Sequence, residues 1–104
     1  WGYTQYDNDN NYIAYYALTG QSDGTSIVDI TDPLNPNVLA FIQSNVEPLR
    51  FVTWRDIKIM NDYAFVVADA QTHDDHHLQI FNIPTIIDEA IQYQQENGND
   101  EIYN

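Results

Sequence analysis

Cysteine is absent from the 104-residue chain, which excludes a disulfide framework and any thiolate metal site. Cations are nearly as scarce: Arg50, Arg55 and Lys58 stand against sixteen Asp and Glu, a formal net charge of −13. A phosphate backbone is held through a basic footprint that displaces its counterions, so nucleic acid is excluded as a partner. Long apolar runs are missing as well. None approaches the ~20 residues a membrane-crossing helix needs, no basic segment leads into a short apolar stretch as in a signal peptide, and no membrane insertion of this segment is expected. There is no glycine-rich phosphate loop, no Asn-x-Ser/Thr sequon and no nucleophile elbow around Ser22, Ser26 or Ser44. What is present is apolar and aromatic: 43% hydrophobic residues, with eight tyrosines, enough for a core and too much for a disordered acidic tail. Trp1 rather than Met opens the chain, as expected of a processed or partial polypeptide.

The patterning predicts strands. From Tyr12 to Leu18 apolar and small residues occupy both alternating faces, the mark of a strand covered on both sides. A polar turn from Gly20 to Gly24 leads to a β-branched strand over Ser26–Thr31. Two prolines, Pro33 and Pro36, then enforce a tight corner before a third strand, Asn37–Ile42. After a loop containing Pro48 the plan repeats: strand Trp54–Met60, turn Asn61–Asp62, strand Tyr63–Ala68, strand Leu78–Ile83. Tyr16-Ala-Leu superposes on Tyr63-Ala-Phe at an offset of 47, and Ile27-Val-Asp-Ile on Ile80-Phe-Asn-Ile at 53. Periods of this size built from short strands indicate propeller blades. Ile27, Val28, Ile30, Ile57, Ile59, Phe65, Val67, Ile80 and Phe81 are the expected core. Beyond Pro84 the period changes: Thr85 with Asp88 forms a capping box, and Ile86, Ile87, Ala90 and Ile91 mark one face of a helix that Gly98 ends. The expected organisation is blades over 1–84, then a short surface helix and loose polar tail over 85–104.

Two blocks carry a family resemblance. Tyr16 through Pro36, around Ile27-Val-Asp-Ile-Thr-Asp-Pro, resembles the repeat of the LVIVD-repeat β-propellers. Thr53 through Ile83 is similar to the choice-of-anchor B branch of that group, through its Trp-Arg-Asp motif (Trp54, Arg55, Asp56) and its strand from His76 to Ile83. His77 and Asn82 depart from the Gly and Asp of that strand. The resemblance implies an all-β fold, a portion of a β-propeller comprising about two incomplete four-stranded blades. The first blade is expected to lack most of an innermost strand, the second an outermost one. It implies a secreted or cell-surface module with an adhesion or assembly role. Its partners would be the remaining blades of the same protein or neighbouring subunits, with homo-oligomerisation among the options. A metal-dependent propeller hydrolase or lactonase-like enzyme is the alternative, by analogy of fold alone.

Three groups of residues are candidate sites. Asp7, Asp9 and Asn11 alternate like the first ligands of a calcium loop, but Tyr12 and Leu18 stand where an EF-hand has Gly and Glu, so an ordinary Asx turn is the competing account. His73, Asp74, Asp75, His76 and His77, with Asp69 upstream, offer imidazole and carboxylate to zinc or another divalent cation, His76 and Asp69 foremost. Neighbours on an extended chain point apart, so a solvated loop competes here too. Trp54, Arg55 and Asp56 fit either a ligand-facing channel entrance or a structural Arg–carboxylate pair beside an anchoring aromatic; the structural pair is expected.

Overall fold

A computed structural model describes residues 1–21, 23–43, 55–68 and 78–104. Among the described residues seven strands form two antiparallel sheets, and one helix follows them. The first sheet runs in chain order, β1 (Gly2–Tyr6), β2 (Tyr12–Gly20), β3 (Gly24–Asp29) and β4 (Asn37–Gln43). The second contains β5 (Arg55–Met60), β6 (Tyr63–Ala68) and β7 (Gln79–Asn82), again in chain order. Helix α1 spans Ile83–Asn97.

Each sheet is a meander because its connections are too short for anything else. The β2–β3 turn closes through Gln21 N–H to Gly24 O at 2.8 Å. The diproline corner is pinned by Asp32, whose carboxylate accepts from Leu34 N and Asn35 Nδ2. Asn61 takes φ +54° in the β5–β6 turn, a left-handed conformation that Asn tolerates.

Strand alternation sorts side chains between an inner and an outer face. Tyr3, Ala14, Tyr16, Leu18, Ile27 and Ala40 of the first sheet share one core with Ile57, Ala64 and Val66 of the second, closed by Ile83, Ile87 and Ala90 of α1. The inner faces therefore pack on each other. Leu18, Ile27 and Ile57 are fully buried, each worth about 1.5–3 kcal/mol of transfer free energy.

Five expectations are corrected. The first sheet is not short of a strand at its N-terminal side: β1 pairs with β2 from Gly2↔Ala17 to Tyr6↔Tyr12, although Thr4 and Gln5 give it no apolar alternation of its own. Strand β2 is not covered on both sides, since Ile13 is 53% exposed. Of the expected core, Ile27 and Ile57 are buried and Val28, Ile59, Phe65 and Phe81 half-buried, but Ile30, Val67 and Ile80 lie exposed on outer faces. Finally, the helix starts two residues early and its tail is not loose. Asn82 is the N-cap, its side chain accepting from Thr85 N at 2.9 Å with Pro84 in the first turn, because the short Asx side chain reaches the free N–H groups better placed than Thr85. Tyr103 bridges to Ala40 on the edge of β4, exchanging backbone hydrogen bonds with Phe41 and Leu39 at 2.8 and 2.9 Å.

Candidate functional site

Arg55 opens β5 opposite Ala68 and points toward the β2–β3 turn of the other sheet. Its aliphatic stem lies against Gly20, where an added Cβ would sit 3.0 Å from that of Arg55. Its Nε donates to Gln21 O at 3.0 Å. Desolvation pulls the guanidinium pKa down and the nearby Asp23 carboxylate opposes the shift, but a guanidinium is basic enough to stay protonated. Arg55 is thus a cationic strut between the sheets.

Asp56 lies on the opposite face of β5, as strand alternation demands, so Arg55 and Asp56 do not form the expected pair. The carboxylate lies 3.9 Å from Lys58 Nζ, in a pair whose side chains are 41% and 77% exposed. Exposed pairs of this kind contribute about 0–1 kcal/mol, too little to pin a blade corner. Trp54 lies outside the described residues.

Asp7 is occupied by its own hairpin. Its Oδ1 accepts from Asp9 N at 2.9 Å and from Asn11 N at 2.8 Å, and Asn10 takes φ +62°. These backbone bonds, that to Asn11 foremost, hold the Asp7 pKa below the usual carboxylate range. The geometry is that of an Asx turn closing β1 onto β2. Asp69 and the His73–His77 loop, His76 included, lie outside the described residues. Among the described residues no three His, Asp or Glu side chains converge as a metal would require.

Among the described residues two concavities flank the stacked sheets. A cleft of about 380 Å³ is lined by Tyr3, Tyr6, Asp7, Asn10, Asp62 and Pro84. At its base Tyr3 Oη donates to Asp62 Oδ1 at 2.7 Å, and burial followed by the Asp62 carboxylate pushes the phenol pKa up. A groove of about 510 Å³ runs along the outer face of the first sheet, between Asp23 and Ser26 on one side and Phe41 and Ile102 on the other. Ser26 is 6% exposed and its Oγ accepts from Gln21 Nε2 at 2.8 Å. Neither concavity was legible in the sequence, because both depend on segments distant in the chain: Tyr3 meets Asp62 across the two sheets, and Ile102 reaches Phe41 only after the tail folds back. Compared with models of known families, with curated proteins and with solved structures, the chain matches none.

Proposed function

We propose that the two sheets are successive blades of a β-propeller of the LVIVD-repeat, choice-of-anchor B kind, serving as a rigid scaffold for adhesion or assembly outside the cell or at its surface. The observation that carries this reading is the stacking: two meanders, each in chain order, share one apolar core across their inner faces, and each keeps an apolar outer face for a further neighbour. Propellers are built by radial repetition of such sheets. In support, the side chains Arg55, Tyr3 and Gln79 tie one sheet to the other, Gln79 Nε2 donating to Gln43 O at 3.0 Å. The remaining blades come from further sequence of the same protein or from neighbouring subunits. The extracellular placement follows from the family resemblance; a charge of −13 favours solubility and selects no compartment. The experiment is labelling of intact cells with a membrane-impermeant amine reagent, followed by immunodetection of this chain. Labelled protein on the surface or in the medium is the expected result, and recovery from the cytosol alone overturns the placement.

A further inference from the structure

We infer that the two outer sheet faces are the halves of one head-to-tail interface, the outer face of β5–β7 in one copy docking on the outer face of β1–β4 in the next. It rests on the stacked-sheet part of the reading above and adds the partner. Strand register places Thr4, Ile13, Ala17, Val28, Ile30 and Val38 on the outer side of the first sheet. In a chain with nineteen Asp, Glu, Lys and Arg residues (sixteen acidic and three basic), none stands at an outward strand position there. The outer side of the second sheet carries Met60, Tyr63, Phe65, Val67 and Ile80, and the charges at its outward strand positions among the described residues, Asp56 and Lys58, neutralise each other at 3.9 Å. These faces are open: Ile13 is 53% exposed, Met60 66% and Ile80 52%. A sheet face meant for water alternates to polar residues, whereas contiguous exposed apolar surface marks a protein contact.

Charge and continuity choose the occupant. Copies each bearing −13 repel, and approach closely only through surfaces poor in charge; on the first outer face Asp23 stands at the margin, in the turn that borders the groove, and on the second the Asp56–Lys58 pair cancels. The inner faces of these same two sheets are already packed together, so seating an outer second sheet on an outer first sheet continues an existing stack, with the same pair of sheets in the same order at the usual ~10 Å spacing. Such a contact is heterologous and repeats from copy to copy, into a ring if the rotation closes and an open filament if it does not.

The test uses two double variants at exposed positions: Ile13→Asp/Val38→Asp blocks the first face, and Met60→Asp/Ile80→Asp blocks the second. In sedimentation velocity the unmodified chain should associate with rising concentration, each double variant should stay monomeric, and an equimolar mixture of the two should form a 1:1 dimer through its one intact contact. Should an Asp variant lose its circular-dichroism signature, Ile13→Thr/Val38→Thr and Met60→Gln/Ile80→Thr repeat the test with better strand formers. A monomeric unmodified chain at several hundred micromolar overturns the inference while leaving the blade reading intact, since further blades would then be supplied in cis. Self-association of either double variant overturns the head-to-tail arrangement in favour of like-face pairing.

Discussion

Tyr3 joins the two sheets through a single short hydrogen bond to Asp62, 59 residues away in the chain. Tyr3→Phe keeps the ring in the core and deletes only that bond, which predicts a loss of about 1 kcal/mol in urea unfolding at pH 7. The sign with pH follows from the raised phenol pKa. An unfolded tyrosine titrates near 10, so Tyr3 contributes stability that is full below about pH 10 and is lost as the pH rises toward the folded value. Between pH 9 and 11 the wild type should therefore lose stability more steeply than Tyr3→Phe, and parallel curves would show that the bond carries no such weight. At this scale the sequence was informative about types and poor about directions. Arg55 and Asp56 are adjacent letters that look like a pair, yet the pleat sends them to opposite faces, and Arg55 finds its acceptor in a turn 34 residues back.

Strands and turns whose signals are local were legible as elements: Tyr63–Ala68 and the Asn61–Asp62 turn stand where the alternation and turn chemistry put them. Strand β1, the Asn82 cap and the Tyr103 bridge were not, because each is specified by its partner. Thr4 and Gln5 become strand only beside Tyr15 and Ala14, and Tyr103 is held by β4, by its Oη–Glu89 bond at 2.8 Å and by the Tyr93 ring. Gly24, which looked like turn punctuation, opens β3 for a packing reason: a Cβ there would run into the Phe41 ring and Ile42 O. Gly24→Ala should cost about 1–3 kcal/mol through overpacking. Gly2→Ala, where an added Cβ meets nothing within 4 Å, is the control and should change the melting temperature little. Equal melting temperatures for the two variants would mean that the β3–β4 contact yields at no cost.

Across the whole molecule the burial pattern follows from stacking two sheets, which no single strand announces. Ile80 and Val67 look like core in the sequence but face outward, while the small Ala64 is fully buried, because inner and outer faces are both apolar and only the packing partner tells them apart. The same body carries sixteen acids against three bases, so the folded chain concentrates a negative charge that the unfolded chain spreads out. Raising the salt from ~0.01 M to ~0.15 M shortens the screening length from about 30 Å to about 8 Å, and the melting temperature should rise, equally for sodium and potassium chloride. Calcium chloride at matched ionic strength separates screening from binding. With Asp7 engaged by Asp9 N and Asn11 N, the β1–β2 hairpin acts as a plain turn, and calcium should follow the sodium curve. Asp7→Ala should then lower the melting temperature by the same amount in both salts, because two backbone donors lose their acceptor. A calcium increment beyond the matched sodium curve that vanishes in Asp7→Ala would instead place a cation on that loop, with the Asx turn as its empty form.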